Sequence, residues 1–445
     1  PRLARGTTPL SHCLTVQLPL TVCASCVSFL QQLIANESMS ALVLLCTALA
    51  VCWRADAFSA MAPTTALAST ATRDLGIGMD DLWTSCLDEV PVPRQMKVEG
   101  EIPDYVKGTL LRNGPSVFEA LKESGENHRY KHIFDGLARV VSYTFPGDGS
   151  VAFSTKLIRS KFHEQVVQRR GDLPAGVTTG GTVPPFSVLK NVLGLVAGPS
   201  YDNCNVNIHQ IGGSGGPVVA VTDAPAMMPL DNQLNTPGLL KHPNKITTGL
   251  GVELFSTAHP HCIPGDKYSY NYYLELKPLG NNLAHIVRTD QHFKRTIVGS
   301  VEIGQDVPYI HDFSLTPKHA VLAIWPLSSD VSTTPNGKGF LPQLVWEGNK
   351  NTKIYVFDIE NSRSQGTQGT QGSQGTQGTQ EDVSTPPHAP PPVAVFETEP
   401  LFAYHHVNCY ERGDGLVLDL LAYKNADMVN SDTAYAYIDS MKSPS

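Results

Sequence analysis

The sequence predicts a large all-β domain built from short strands. Glycine and proline, at 37 and 33 of the 445 residues, favour a turn-rich chain of short strands over one of long helices. From about residue 80 onward, short apolar, β-branched or aromatic runs alternate with turn signals, and no long amphipathic helix is visible. Many short strands in a chain of this length indicate a sandwich, a barrel or a propeller, and the pattern alone does not choose among them.

The composition fits a folded domain without a nucleic-acid partner. Apolar residues make up 41% of the chain, which is enough to bury a large core, and the length suits about three ordinary domains or one large all-β domain. The 41 acidic and 33 basic residues give a net charge of −8, whereas nucleic-acid-binding proteins usually carry a basic face. Five of the nine cysteines lie in the first 52 residues, and the other four are too dispersed for a disulfide framework.

One hairpin and several single strands can be predicted directly. Residues 140–145 and 151–155 flank Pro146-Gly147-Asp148-Gly149, which is a turn sequence between two strand-forming runs. Further short strands are predicted at four places in the chain: residues 268–273, 320–325, 353–357 and 416–421.

A low-complexity stretch interrupts this pattern at residues 362–393. It contains a Gln-Gly-Thr/Ser array and then a run that is nearly all proline, and neither composition can bury a core. Strand-like sequence lies on both sides, at residues 355–359 and 393–396. The stretch is therefore predicted to be a loop insertion between strands and not a linker between domains.

The N-terminal part of the chain has the features of a targeting sequence. An apolar run without charge spans residues 41–53, soon after the first methionine, Met39, and Ala55-Asp56-Ala57 fits a signal-peptide cleavage site. The following residues are rich in Ala, Ser and Thr, as in a transit peptide. The sequence predicts an upstream stretch and signal peptide over residues 1–57, a transit-peptide-like segment over 58–79, and delivery to a plastid. A secreted protein with a flexible tail is the alternative.

Three histidine-containing strings stand out among the fifteen histidines. They are Ser256-Thr257-Ala258-His259-Pro260-His261, Tyr309-Ile310-His311-Asp312-Phe313 and Tyr404-His405-His406-Val407-Asn408. Imidazole is the commonest protein ligand for metals such as iron and zinc, and separations of 52 and 94 residues exclude a zinc finger. Such spacing is expected when ligands from different parts of a large all-β fold meet. Any one of these histidines taken alone would more often be a core or turn residue.

These strings resemble the signature motifs of the carotenoid cleavage oxygenases. Three further strings resemble motifs of the same family in the same order: Leu111-Arg112-Asn113-Gly114-Pro115, His132-Ile133-Phe134-Asp135-Gly136 and Asp202-Asn203-Cys204-Asn205-Val206-Asn207. The resemblance covers roughly residues 80–422 and implies a seven-bladed β-propeller over residues 80–445. It also implies an iron(II) dioxygenase that cleaves a carbon–carbon double bond of a carotenoid or apocarotenoid with O2.

The resemblance also implies roles for particular residues. His259, His311 and His405 would be iron ligands and would carry the catalysis through the iron, while His261 and His406 would support the site. Alternation along a strand separates His405 from His406 without showing which one points inward, and the family register selects His405. In the family, glutamates anchor the ligand histidines. The matching position here is Asp223, whose side chain is one methylene shorter.

The chain departs from the family pattern near its C-terminal end. The family's fourth histidine lies in a string like Phe-His-Gly, and no histidine follows His406 in this sequence. A propeller that is incomplete at the C-terminus, with at most three protein ligands and weak or no activity, is therefore expected. An isomerase on the same scaffold, or a carotenoid-binding propeller without a working iron site, are the alternatives.

An apolar segment at residues 184–199 has a single charge, Lys190. Because carotenoids must be taken from a membrane, this segment is predicted to make a peripheral membrane contact. A core segment of a blade is the alternative.

Overall fold

A computed structural model describes residues 83–121, 124–125, 127–130, 132–168, 202–329, 341–360 and 389–430. These residues all belong to one compact unit, Thr72–Ser445. The predictions for residues 1–57, 58–79 and 184–199 fall outside the described residues, as does nearly all of the 362–393 insertion. The predicted domain boundaries therefore stay predictions.

The described part of the chain is built almost entirely from strands, so the all-β prediction is confirmed. The first twelve strands are β1 (Val90–Gln95), β2 (Gly108–Pro115), β3 (Glu119–Leu121), β4 (Asn127–Arg129), β5 (Ala138–Phe145), β6 (Ala152–Leu157), β7 (Asn207–Gln210), β8 (Val218–Val221), β9 (Met227–Leu230), β10 (Val252–Ser256), β11 (His261–Cys262) and β12 (Tyr268–Leu276). The remaining strands are β13 (Asn282–Asp290), β14 (Arg295–Gly304), β15 (Val307–Pro308), β16 (Ser314–Leu315), β17 (His319–Ile324), β18 (Leu327–Ser329), β19 (Val345–Trp346), β20 (Thr352–Asp358), β21 (Ala394–Thr398), β22 (Phe402–Arg412) and β23 (Gly415–Tyr423). The helices are single turns: α1 (Lys161–His163), α2 (Asp427–Asn430), 3-10 turns at Ile133–Asp135 and Leu341–Gln343, and a π turn at Glu164–Gln168.

The strands form successive antiparallel sheets along the chain. The larger sheets have the orders β1-β6-β5-β2, β7-β8-β9, β10-β12-β13-β14 and β16-β17-β20-β21, and β11 also pairs with β12. Smaller sheets are β3-β4, β15-β18-β19 and β22-β23. Sheets of three or four antiparallel strands, each completed largely by consecutive strands, are the building units of propellers.

The predicted strands are found where the sequence places them. β5 and β6 form the predicted hairpin, with Tyr143 opposite Phe153. Its turn contains Gly147 and Gly149 at φ of +91° and +80°, a conformation that glycine adopts without steric cost. The four other predictions correspond to β12, β17, β20 and β23.

The low-complexity insertion lies between two neighbouring strands of one sheet. β20 and β21 pair antiparallel, with Tyr355 opposite Val395, so the strands predicted on both sides of the insertion are confirmed. The chain therefore leaves and re-enters the same sheet around residues 361–388.

The main core joins the sheet of β12–β14 to the sheet of β17 and β20. Large buried side chains meet there, among them Tyr270, Tyr272, Leu322 and Phe357. Gly299 on β14 lies directly under the Phe357 ring, and a Cβ atom at this position would overlap the ring. The close approach of β14 to β20 thus depends on a residue without a side chain.

Asparagine side chains connect β2 and the turn at Ile133–Asp135 to residues 203–207. Asn113 donates to the carbonyl oxygens of Cys204 and Asn207, at 2.8 and 2.9 Å. Asn203 and Asn205 both donate to the carbonyl oxygen of Gly136. Three of the strings recognised in the sequence are therefore joined through their amide groups, and each amide satisfies a backbone acceptor away from bulk water.

None of the helices in the described ranges has the length and apolar composition needed to cross a bilayer.

Candidate metal centre

Three histidines from distant parts of the chain converge on one point. His259 lies in the loop between β10 and β11, His311 lies between β15 and β16, and His405 lies on β22. One ring nitrogen of each residue lies within 4.8 Å of the other two. The ring centroids are 4.6 to 5.1 Å apart, and the rings are steeply inclined to one another. The structure thus brings together the three histidines that the sequence singles out.

The loop that carries His259 is held by side chains from two other strands. The Thr257 hydroxyl and the Asn271 carbonyl oxygen are 2.9 Å apart, and the Asn271 amide donates to the Thr257 carbonyl oxygen. The backbone N–H of His259 donates to the Thr257 hydroxyl. Asn207, the first residue of β7, donates to the carbonyl oxygen of Ala258 at 2.9 Å. These bonds give the loop one conformation in which the imidazole is directed at the other two.

His311 is oriented by Asp223. Its Nδ1 lies 2.8 Å from Oδ2 of Asp223, and its Nε2 lies 3.0 Å from Nε2 of His259. A carboxylate can only accept, so Nδ1 carries the hydrogen and Nε2 is left free to bind a cation. Oδ1 of Asp223 accepts from the backbone N–H of Ala258, so the same carboxylate also fixes the His259 loop. The shorter aspartate therefore reaches the ring of His311.

Of the two neighbouring histidines on β22, His405 faces the other two rings and His406 does not. Nδ1 of His406 lies 2.7 Å from the Ser314 hydroxyl, and its ring packs 6.0 Å from that of Trp325. His261 is also outside the cluster, with Nε2 at 3.1 Å from Oδ1 of Asp312.

The electrostatic environment keeps two of the three rings neutral. Burial, together with the nearby His311, lowers the pKa of His259 to about 4. Burial and His311 also lower the pKa of His405. Burial by itself lowers the pKa of His311, but the charge and the hydrogen bond of Asp223 outweigh it and raise the pKa. Because metals bind deprotonated imidazole, a bound cation would take the place of the proton that Asp223 favours.

The donor set and its spacing fit a divalent transition metal. Two nitrogens that bind one ion at about 2.1 Å with an angle near 90° are about 3 Å apart. The Nε2 atoms of His259 and His311 have this separation. Imidazole suits iron, zinc, copper and nickel, and three ligands leave positions open for a substrate. Within the described ranges, this is the one group of three or more His, Cys, Asp or Glu side chains that could hold an ion.

Aromatic side chains surround His311. Tyr404 meets its ring edge-on at 5.6 Å, and Tyr309 lies 6.3 Å away. Both tyrosines are buried, and Phe402 packs against each of them. A cation at this point would therefore have an apolar, water-poor boundary on one side.

Sequence reasoning missed the residues that hold the histidine segments. Asn207, Asn271 and Asp312 have this role in the structure. Asn207 and Asp312 lie inside two of the strings that resemble family motifs. Their place in these strings could have indicated a role at the site. Asn271 lies in an ordinary strand sequence with no such signal.

Comparisons with known proteins agree with one another. A family model described as retinal pigment epithelial membrane protein matches residues 83–444. The carotenoid isomerooxygenase of Galleria mellonella is 27% identical over 365 residues, which are 78% of this chain and 62% of that protein. The β,β-carotene 15,15'-dioxygenase of Gallus gallus is 23% identical, with 78% and 62% covered. The apocarotenoid-15,15'-oxygenase of Synechocystis is 25% identical, with 75% and 60% covered.

Solved structures show the same fold. The cobalt-substituted Synechocystis apocarotenoid oxygenase superposes with a TM-score of 0.56 at 20% identity, covering 78% of this chain and 64% of that one. A chimera of that oxygenase and the retinal pigment epithelium protein gives the same TM-score and identity, with 77% and 63% covered. The propeller class predicted from the sequence is thereby confirmed, while the number of blades stays a prediction. The chain spans about 60% of the length of the relatives it matches.

Proposed function

Because the chain belongs to the retinal pigment epithelial membrane protein family, we propose that it is a non-haem iron(II) dioxygenase. Its reaction is the cleavage of a carbon–carbon double bond of a carotenoid or apocarotenoid by O2, which gives aldehyde or ketone products. The observation that carries the proposal is the convergence of His259, His311 and His405. It is supported by relatives that are named as carotenoid and apocarotenoid oxygenases.

The donor set supports iron as the metal. The ligands are three imidazoles, and burial favours the neutral form of two of them, so a bound divalent ion would keep most of its charge. Iron(II) held there would supply the one-electron chemistry that O2 requires, whereas zinc has no redox chemistry. His259, His311 and His405 are the residues that would hold it.

The residues around the three histidines prepare the site for this reaction. Asp223 holds His311 so that Nε2 faces the other two rings. Tyr309, Tyr404 and Phe402 provide an apolar wall on one side of His311, which suits a polyene. In this reaction, the residues of this chain would position the metal ligands and the substrate.

Isotope labelling tests the proposed reaction. The iron(II)-loaded chain is incubated with an apocarotenal under ¹⁸O₂, and the carbonyl products are analysed by mass spectrometry. Cleavage of one double bond by one O2 places one ¹⁸O in each of the two products. We expect this labelling in both products. The His259→Ala variant should give no product, and His292→Ala, a change at an exposed histidine outside the site, should behave like the parent chain.

An isomerase is the second candidate, since two relatives are named isomerooxygenases. Conversion of the substrate to a geometric isomer without O2 uptake would favour this function over cleavage. Substrate binding by a chain that takes up no iron would instead favour a non-catalytic carotenoid-binding propeller.

The location of the protein and its contact with membranes are proposed from the sequence. Residues 39–73 carry the plastid targeting features, and a fluorescent fusion of residues 39–79 tests them, with secretion as the contrary result. Residues 184–199 are proposed to contact a membrane surface. Unchanged binding to lipid vesicles after replacement of the apolar side chains in that segment would contradict this contact.

A further inference from the structure

We propose that Asp312 is a positioning residue that holds the segments of all three metal-binding histidines in place, an inference that rests on the proposed metal site. Asp312 follows His311 directly in the chain and is 5% exposed. It does not contact the ring of His259, His311 or His405 through any hydrogen bond of the described structure. Asp312 therefore acts on the metal site through the main chain, through His261 and through its charge.

The Asp312 carboxylate receives a hydrogen bond from each of the three segments. The backbone N–H of Phe313 donates to Oδ1 at 2.8 Å, within the His311 segment. Nε2 of His261, two residues after His259, donates to the same oxygen at 3.1 Å. The backbone N–H of His406 donates to Oδ2 at 3.0 Å. One buried carboxylate thus holds three residues, each of which lies one or two positions from a ligand histidine.

The contact to His406 falls where β22 is irregular. Ala403 lies opposite Ala422, but His406 lies opposite Leu420, so three steps along β22 correspond to two along β23. A second extra residue follows between His406 and Asn408. Bulges of this kind redirect a side chain and interrupt the ladder. At this interruption, Asp312 supplies the acceptor for the main chain next to His405.

The charge of Asp312 acts in the same direction as its hydrogen bonds. Its buried carboxylate places a negative charge beside the segments that carry the rings of His259, His311 and His405. A cation placed among these rings would be stabilised by the same field. Asp312 and Asp223 together place two carboxylates around the three ligand histidines.

The two aspartates have separate roles. Asp223 bonds to the ring of His311 and to the N–H of Ala258, so it acts on the first two ligands. Asp312 is the one of the pair that bonds to β22. Loss of Asp312 should therefore displace His405 most, while the His311 ring keeps its orientation.

Cobalt(II) binding to the full chain tests the proposal. The variants are D312N, which keeps the side-chain shape, D312A, and the control D290N. Asp290 also accepts from two backbone N–H groups, those of His292 and Lys294, but in an exposed turn away from the site. The affinity for Co²⁺ is measured by titration of its visible absorption. Hydrogen–deuterium exchange of the metal-free chain reports separately on the peptide that contains residues 402–409.

For D312A we expect Co²⁺ affinity to fall about 10- to 100-fold, as for other residues that orient metal ligands. Exchange should accelerate in the β22 peptide, because the N–H of His406 loses its acceptor. D312N should weaken Co²⁺ binding less than D312A, because its amide oxygen still accepts from some of the three donors, although not from all of them. If D312A does not fold, D312N gives the result. D290N should bind Co²⁺ like the parent chain.

Unchanged Co²⁺ affinity in both D312N and D312A would overturn the proposal. If exchange in β22 were nevertheless faster, Asp312 would only stabilise the strand. Parent protein that binds no Co²⁺ would overturn the metal site and with it both proposals. Weaker Co²⁺ binding in the variants, in a chain that cleaves no carotenoid, would support the role of Asp312 and contradict only the proposed function.

Discussion

Nδ1 of His311 lies 2.8 Å from Oδ2 of Asp223, although the two residues are 88 positions apart in the chain. This hydrogen bond decides which nitrogen of His311 faces His259 and can bind a metal. It also joins the segment that follows β8 to the segment between β15 and β16. Several consequences of this arrangement can be measured.

Asp223→Asn should weaken metal binding. An asparagine side chain can still pair with the His311 ring, but it lacks the charge that favours the bound cation. We expect Co²⁺ affinity to decrease about 10- to 100-fold, as is usual when a carboxylate behind a ligand histidine is replaced. Titration of the visible Co²⁺ absorption measures this decrease, with D290N as the matched control. Equal affinities of D223N and the parent chain would show that Asp223 does not support the metal.

His405 and His406 should differ sharply in their effects. His405→Ala removes a ring of the cluster and should abolish stoichiometric Co²⁺ binding. His406→Ala removes the bond to Ser314 and the contact with Trp325, so it should lower thermal stability while leaving the three-histidine cluster in place. Melting curves and metal analysis of the two variants test this. The reverse pattern would mean that the register of β22 is shifted by one residue.

Buried histidines should make the metal-free chain sensitive to acid. Burial lowers the pKa of His132 from 6.5 to about 3, so the folded chain excludes a proton that the unfolded chain binds below pH 6.5. The contribution of His132 to stability is fully present above pH 6.5 and is lost as the pH falls toward 3. At about pH 5 the loss is roughly 2 kcal/mol. His163, His209 and His242, whose pKa values burial lowers to about 4, act in the same direction.

Urea unfolding of the metal-free chain near neutral pH and near pH 5 measures this sensitivity. In the His132→Gln variant, the decrease in the free energy of unfolding between the two pH values should be smaller than in the parent chain. An identical decrease in both proteins would remove His132 from the explanation.

Gly299→Ala should destabilise the core. A methyl group at this position overlaps the Phe357 ring, and overpacking of this kind costs about 1–3 kcal/mol. Gly114 on β2 has open space around its Cβ position, so Gly114→Ala is the matched control and should change stability by less than about 0.5 kcal/mol. Denaturant unfolding of the two variants gives the comparison. Equal free energies of unfolding for Gly299→Ala and Gly114→Ala would mean that β14 and β20 can move apart at little energetic cost.

The sequence alone was enough to predict many of the strands and to single out the three candidate metal ligands. Strand formation in β5, β6 and β12 depends on local alternation and turn residues, which can be recognised directly. The three histidines could be found because each lies within a distinctive string. The targeting segments and the apolar segment at residues 184–199 lie outside the described residues and stay predictions.

The network that holds the histidines could not be predicted in the same way. Asp312 bonds to His261 and His406, which are 51 and 94 positions away, and no local pattern encodes contacts at such distances. The choice between His405 and His406 depends on two bulges in β22, and these break the alternation on which strand predictions depend. Such features are fixed by packing between sheets.

Iron content per chain tests the central claim most directly. The parent chain and the His311→Ala variant are loaded with iron(II) without oxygen, separated from free metal and analysed for bound iron. We predict about one iron per parent chain, as a single mononuclear site requires, and almost none in the variant. Stoichiometric iron in His311→Ala, or none in a folded parent chain, would contradict the assignment of His259, His311 and His405 as the metal centre.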